Sequence, residues 1–260
     1  MHFTPIEITR LIVVLTLEIV VCGAAWLRGL FRRLPIFTAY LSAAVVCDVL
    51  RFLVIFTVGS QSKTEFILYW TTQWILVLLR AAVVYELCRQ MLAAYPGVWR
   101  LCIMVLGLAA MALACMTLFD TTQQGPYIAR LFLTIERGFE LEVLGVLFVV
   151  SLFCRYYRIS VGHLISLVIL GLSVYSAMAL LNDTFASHWF HKLLLVWREV
   201  RGDSFLFAEI IWLTAIALWK PAEEQQRVPV LLDSAVYSEL TPVVSYRLRE
   251  LNSRLEEILR

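Results

Sequence analysis

Seven long apolar stretches restrict what this chain can fold into. They cover residues 8–30, 35–58, 65–92, 98–119, 127–154, 160–182 and 203–219. A helix needs about 20 predominantly apolar residues to cross the hydrocarbon core of a bilayer. Helix-breaking residues fall at the boundaries, at Pro35, Pro96-Gly97 and Gly125-Pro126. The pattern predicts an all-α membrane protein, with a bundle of seven transmembrane helices.

Composition supports this class. Of the 260 residues, 61% are hydrophobic and 16% are charged, and the mean hydropathy of +0.80 lies outside the usual range of soluble domains. The net charge of +2 is small and the basic residues form short clusters, so we expect the lipid bilayer and no nucleic acid as a partner. No Lys or Arg precedes Arg10, and Glu18 interrupts the first stretch, which favours a retained span over a signal peptide.

Basic residues between the stretches predict the orientation. On one side they are Arg28, Arg32, Arg33, Arg89, Arg100, Arg155, Arg158, Lys220 and Arg227. The other side carries Lys63, and Lys192, Arg198 and Arg201 precede the last stretch. Because cytoplasmic loops are enriched in Lys and Arg, we predict an outer N-terminus and a cytoplasmic C-terminus.

The segment 182–202 is the longest outer connection and is not plainly hydrophilic. It is either a separate helix lying in the membrane interface or an outward extension of the seventh helix. Both arrangements would cover the outer mouth of the bundle. Several tryptophans are expected to anchor span ends at the interfaces: Trp70, Trp74, Trp99, Trp197, Trp212 and Trp219.

The chain changes character after the transmembrane domain, residues 1–219. Residues 220–240 are polar with two prolines and are interpreted as a cytoplasmic linker. Residues 241–260 then carry apolar side chains at alternating spacings of four and three, which predicts an amphipathic helix. This helix either lies on the membrane face or the bundle, or forms a short coiled coil. It is the predicted surface for a cytoplasmic protein partner or for self-association.

Ionisable residues inside the apolar stretches form the candidate functional site. The segment 133–143, LTIERGFELEV, concentrates several of them. The ligand-binding candidates are Glu18, Asp48, Arg51, Arg80, Glu136, Arg137, Glu140 and Glu209. Asp48 and Arg51 are spaced i and i+3, and Glu136 and Glu140 are spaced i and i+4, so each pair shares one helix face. Since lipid does not solvate these groups, we expect the polar faces to converge on the bundle interior.

Acids outnumber bases by five to three in this set. One interpretation is a buried ion-pair network that fixes helix packing. The other is a polar cavity, open to the outer side, in which two unpaired carboxylates are protonated or meet a cation, a proton path or a polar ligand. No catalytic residue and no cofactor is predicted.

Histidine and cysteine are the two remaining residue types in the chain that could bind a metal ion. His188 and His191 are spaced i and i+3 beside Asp183, as in a weak outer metal site or pH-sensitive lid, or simply as interfacial histidines. The six cysteines fall within or at the ends of apolar stretches and form no C-x-x-C pair. We interpret them as packing residues and predict neither disulfides nor zinc.

The first hundred residues contain four notable segments: PIFTAYL at 35–41, Tyr69-Trp70, VVYELCRQML at 83–92 and YPGVWRL at 95–101. In these segments the chain resembles a family of seven-helix bacterial membrane proteins of unassigned function. It implies a bacterial inner-membrane location and no particular activity.

Three function classes are compatible with the sequence. We favour a sensor or small-ligand-binding protein that hands its signal to a separate partner, because the tail holds no effector domain. An ion- or proton-coupled transporter is the alternative, although internal repeats and broken helices are not evident. An intramembrane enzyme ranks third because no serine lies near a histidine in a known motif. The last stretch lacks the central lysine of retinal proteins.

Overall fold

The computed structural model is helical throughout the part of the chain that it describes, and it contains no strand there. The described residues are 5–58, 62–92, 95, 98–104, 107, 108, 111, 127–156, 159, 161–188, 194–219 and five isolated positions between 246 and 257. The α-helices are α1 (Pro5–Leu27), α2 (Pro35–Val58), α3 (Lys63–Leu92), α4 (Tyr127–Tyr156), α5 (His163–His188) and α6 (Leu194–Leu218). A 3₁₀ helix, Leu30–Arg32, joins α1 to α2.

Local sequence explains several helix ends. Pro5 and Pro35 begin α1 and α2, where a missing backbone N–H costs no helical hydrogen bond. The Ser62 hydroxyl accepts a hydrogen bond from the Glu65 backbone N–H at 3.0 Å and so caps α3. Gly29 follows α1 with φ of 71°, a left-handed conformation that other residues adopt at a cost.

Within the part of the chain that the structure describes, three helices are long and apolar enough to cross a membrane, which supports a transmembrane protein. They are Pro35–Thr57, Lys63–Leu92 and His163–Leu181, and two shorter apolar helices cover Ile12–Leu27 and Ser204–Leu218. The helix α4 is as long as α3 and carries Glu136, Arg137, Glu140 and Glu142 in its middle part. The described residues of the predicted fourth stretch, within 98–111, are helical.

The segment 182–202 is not a separate helix. The helix α5 continues to His188, and α6 begins at Leu194, nine residues before the predicted start of the last stretch. Of the two alternatives for this segment, extension of the last helix is therefore the one confirmed, and the helix before it is extended as well. The linker 220–240 lies outside the described residues, as does most of the tail 241–260.

The six helices pack as a closed ring. Each packs on the next in the chain, and α1 packs on α6. The fully buried Trp212 of α6 lies inside this ring and makes edge-to-face contacts with Phe37 at 5.5 Å, Tyr40 at 6.1 Å and Phe205 at 6.3 Å. Its indole N–H donates to the backbone carbonyl of Val168 at 3.3 Å. The prediction that Trp212 anchors a span end was therefore wrong, because its ring and its N–H are both satisfied in the core.

Charged side chains from neighbouring helices bind two helix ends. The Glu86 carboxylate of α3 accepts hydrogen bonds from the backbone N–H groups of Ile36 at 3.1 Å and Phe37 at 2.9 Å, at the N-terminus of α2. Arg28 donates to the carbonyls of Ile216 and Ala217 at 2.8 and 2.7 Å, at the C-terminus of α6. Each charge opposes the partial charge of the helix end that it binds, and each satisfies backbone groups that the helix leaves unpaired.

A first prediction concerns the contact between α5 and α6. A Cβ at Gly171 would lie 2.3 Å from Trp212 Nε1. We expect Gly171→Ala to lower the free energy of unfolding by about 1–3 kcal/mol, because Trp212 must shift out of a packed core. Thermal unfolding in detergent measures this. Gly145→Ala is the matched control, since nothing lies within 4 Å of that position, and equal losses in both variants would contradict the packing role.

A second prediction concerns Glu86. Glu86→Leu removes both acceptors from the α2 N-terminus, and we expect a loss of about 1–3 kcal/mol in unfolding free energy. Glu86→Gln keeps one acceptor oxygen and is expected to lose less. The same unfolding measurement tests the order, and equal stability of the Gln and Leu variants would show that the hydrogen bonds contribute nothing.

Candidate functional site

A buried ion pair joins α3 and α4. Arg80 of α3 donates to the Glu140 carboxylate of α4, and their side chains are only 3% and 0% exposed. The Arg80 guanidinium also lies over the rings of Tyr175 on α5, 4.9 Å from its centroid, and Phe139, at 5.7 Å. Aromatic faces attract cations, so Arg80 is held by three helices at once.

A second charged cluster joins α1, α2 and α6. The Glu18 carboxyl interacts electrostatically with Asp48, Glu209 and Arg51. Glu18 and Glu209 are almost completely buried, whereas the side chain of Asp48 is 30% exposed. Glu18 precedes the last residue of α1 by nine residues, and Glu209 precedes the last residue of α6 by nine. Because Arg28 ties these two helix ends together, the two acids lie at similar depth in the ring.

Arg51 is the basic member of this second cluster, and its nitrogens are shared among several acceptors. It donates to Asp48 at 3.3 Å, to the Thr72 hydroxyl at 2.7 Å and to the backbone carbonyl of Tyr69 at 3.4 Å. Its guanidinium lies 5.0 Å from the centroid of the Tyr69 ring. These contacts hold Arg51 between α2 and α3, with its charge directed at Asp48.

Tyr40 of α2 lies between the two clusters. Its buried side chain interacts electrostatically with Arg80, Glu140 and Tyr175 on one side and with Glu18 on the other. The Tyr40 ring also contacts Trp212. The two charged clusters are therefore parts of one interior surface, with an aromatic wall between them.

Several buried oxygens in this interior lack a hydrogen-bond partner among the described residues. They are both carboxylate oxygens of Glu18, Oε2 of Glu140, Oε2 of Glu209 and the hydroxyl of Ser176. A buried polar atom without a partner costs about 1–3 kcal/mol, and more when it is charged. Among these groups, Glu18 stands out because both of its carboxyl oxygens lack a donor among the described residues.

The predicted site residues divide between these clusters. Glu18, Arg80, Glu140 and Glu209 are buried, and Asp48 and Arg51 are partly exposed beside them. Arg137 is half-buried on α4. The side chain of Glu136 lies outside the described part of the chain, as do the side chains of His188 and His191. The arrangement is two linked clusters, where the sequence predicted one convergent set.

Sequence reasoning missed the aromatic components and a group of thiols. Tyr40 and Tyr175 carry no signal that distinguishes them from other aromatic residues in spans. The thiols of Cys102 and Cys154, from two other stretches, both lie within interaction range of the Cys88 thiol. Among the described residues, no group of three or more His, Cys, Asp or Glu side chains is arranged to hold a metal ion.

Comparison with known proteins identifies no relative. No protein-family model, curated protein or solved structure matches the chain. The resemblance of the first hundred residues to a seven-helix bacterial family therefore stays a prediction.

A third prediction tests the Arg80–Glu140 pair. Arg80→Met leaves the Glu140 carboxylate buried and uncompensated, so we expect a loss of about 3–5 kcal/mol in unfolding free energy. The double variant Arg80→Met/Glu140→Met removes both charges and should recover most of that loss. Arg89→Met, at an exposed position of the same helix, is the control and should change stability little. Additive losses in the double variant would contradict direct pairing.

Proposed function

We propose that the protein is a multi-pass protein of the bacterial inner membrane that binds a small cationic ligand in its interior and acts as a sensor. In this proposal seven helices span the bilayer, the N-terminus is outside and the C-terminus is cytoplasmic. The ring of described helices and the positions of the basic connections support this arrangement. The interior binding surface consists of Glu18, Asp48 and Glu209, with Tyr40 and Trp212 as its aromatic wall.

The proposal rests on the charge balance around Glu18, where acidic side chains outnumber basic ones. Three carboxyl groups, those of Glu18, Asp48 and Glu209, face one guanidinium, that of Arg51. If all four groups are ionised, two negative charges remain uncompensated in a region where water is scarce. A bound cation would compensate them, and both Glu18 oxygens are available to accept hydrogen bonds from it. An ammonium group matches these requirements because it donates hydrogen bonds and is attracted to aromatic faces.

The tail supplies the reason for preferring a sensor. Glu209 lies on the same helix as the carbonyls that Arg28 binds, and the linker 220–240 follows directly after that helix. A ligand that binds the Glu209 carboxylate would shift the C-terminal end of α6. The linker 220–240 and the tail 241–260 would move with it. A transporter would use the same carboxylates for its substrate. A partner protein that binds the tail would favour the sensor over the transporter.

A fourth prediction separates a binding site from a packing network without requiring the ligand. Neutralising a member of a satisfied packing network lowers stability, whereas removing an uncompensated acid relieves repulsion and raises it. We expect Glu18→Gln and Glu209→Gln to raise the melting temperature of the ligand-free protein, and Glu140→Gln to lower it. If all three variants lower the melting temperature, the acids stabilise the fold as a network and the binding proposal fails.

Ligand class is tested on the same proteins in lipid nanodiscs. Ammonium, methylammonium and choline chlorides should raise the melting temperature of the wild type relative to sodium chloride at equal ionic strength, and Glu18→Gln should abolish the increase. No increase with any of these amines would contradict a cationic ligand of this kind. Accumulation of labelled methylammonium in proteoliposomes would favour the transporter class, and loss of a captured partner on deleting residues 241–260 would favour the sensor.

A further inference from the structure

One carboxyl group on α4 has no partner in the described part of the chain. Glu142 lies in the middle of this helix, 15 residues after Tyr127 and 14 before Tyr156. Its side chain is partly exposed at the protein surface, and no charged group or hydrogen-bond donor of the described residues interacts with it. At a rise of about 1.5 Å per residue it lies about 21 Å from the Tyr156 end of the helix. That depth is within a hydrocarbon core about 30 Å thick.

Glu142 belongs to the peripheral face of α4, on the side away from the buried residues of this helix. The buried residues are Glu140, Val143, Leu147, Val150 and Cys154. Val149 lies two turns after Glu142 on the same side, and its side chain is 62% exposed. Gly145 lies between them, and nothing is within 4 Å of the position that a Cβ would take there. These three residues form an open face that another helix can approach closely.

The cations of the neighbouring helices are bound elsewhere. Arg80 pairs with Glu140 on the buried side of α4, and Arg51 pairs with Asp48. The stretch 101–119, which precedes α4 in the sequence, contains no Lys, Arg or His. Ionisable residues inside transmembrane segments are costly, and they almost always pair or face the bundle interior. Glu142 does neither within the described part of the chain, which indicates a counter-charge from another molecule.

We propose that the peripheral face of α4 binds a transmembrane helix of a partner protein, and that this helix carries a Lys or Arg in its middle that pairs with Glu142. The inference rests on the proposed function for the membrane-spanning arrangement of α4, and it does not require the interior ligand. Charge complementarity identifies the partner. The face offers one carboxylate, one glycine and an exposed apolar side chain, which fit an apolar helix with a single central cation.

A second copy of this chain fits the face less well. In a two-fold symmetric dimer the same surface patch meets itself, so Glu142 would face Glu142 and the charges would repel. Arg137 is five residues away, about 7.5 Å along the axis, and lies on another side of α4. It is therefore not placed to compensate either carboxylate.

Synthetic transmembrane peptides test the pairing on the whole protein in lipid vesicles. Each peptide is a leucine-rich helix with a single central Lys, Gln, Leu or Glu, labelled for energy transfer to the labelled protein. We expect the Lys peptide to associate about tenfold more tightly than the Gln and Leu peptides, because it brings the counter-charge. Glu142→Gln should abolish this preference, and Glu142→Lys should transfer it to the Glu peptide. Glu65→Gln, in the first turn of α3, is the control and should leave the preference unchanged.

Added bulk on the face gives a second readout. Val149→Trp keeps the charge but occupies the space beside Glu142, so it should weaken binding of the Lys peptide several-fold. Leu170→Trp, at an exposed position of α5, is the matched control and should leave binding unchanged. Equal affinity of the wild type for all four peptides, or an unchanged Lys preference in Glu142→Gln, would overturn the proposal. Energy transfer between two copies of the protein that Val149→Trp removes would assign the face to self-association and overturn the partner helix.

Chemical modification separates this inference from the proposed function. A hydrophobic carbodiimide adds to protonated carboxyl groups that face lipid, so it should modify Glu142, and the bound Lys peptide should protect this residue. Modification by a water-soluble carbodiimide instead would place the face in water and overturn the membrane-spanning arrangement as well. Modification from the lipid without any peptide preference would overturn the partner helix alone. Glu142→Gln should leave the stabilisation by amines unchanged, because that stabilisation reports on the interior ligand.

Discussion

The interior of this protein depends on how a low-dielectric environment treats carboxylates. Hydrocarbon does not solvate them, and the surrounding helices provide too few donors for the acids that the chain places there. Glu140 meets this constraint by pairing with Arg80, which two aromatic rings also contact. Glu18 does not, because neither of its carboxyl oxygens receives a hydrogen bond from the described residues. The contrast between these two glutamates separates the structural part of the interior from the part that we propose to be functional.

Unpaired backbone N–H and C=O groups at helix ends are also costly to bury. Glu86 reaches the N-terminus of α2, and Arg28 reaches the C-terminus of α6, so charged side chains satisfy backbone groups that would otherwise remain unpaired. These contacts link α3 to α2 and α1 to α6, and they help to close the ring. Trp212 fills the interior that the ring encloses, against a helix face left open by Gly171. The acids are thus held on helices whose ends and centre are fixed.

Most of the helix boundaries could be predicted from sequence, since apolar stretches and the prolines between them report directly on what can be buried in lipid. The exceptions were the end of α5, at His188, and the start of α6, at Leu194. The first turns of α6, around Trp197 to Arg201, are polar enough to resemble a connection, yet they continue a helix whose hydrogen bonds depend on the backbone and not on polarity. The misplacement of Trp212 has a related cause: sequence position near a span end does not reveal that a ring is enclosed by its neighbours.

By itself, the sequence determined the helical membrane class, the approximate spans and the identity of the ionisable residues that had to face inward, because the cost of burying a charge is a property of the residue and its solvent. It also showed that acids outnumber bases. Only the tertiary structure decided which acid met which base. Arg80 and Glu140 are 60 residues apart, and spacing along one helix carries no information about the rotation of another. That relative rotation brought Glu140 to the guanidinium of Arg80 and left both carboxyl oxygens of Glu18 without a hydrogen-bond partner among the described residues.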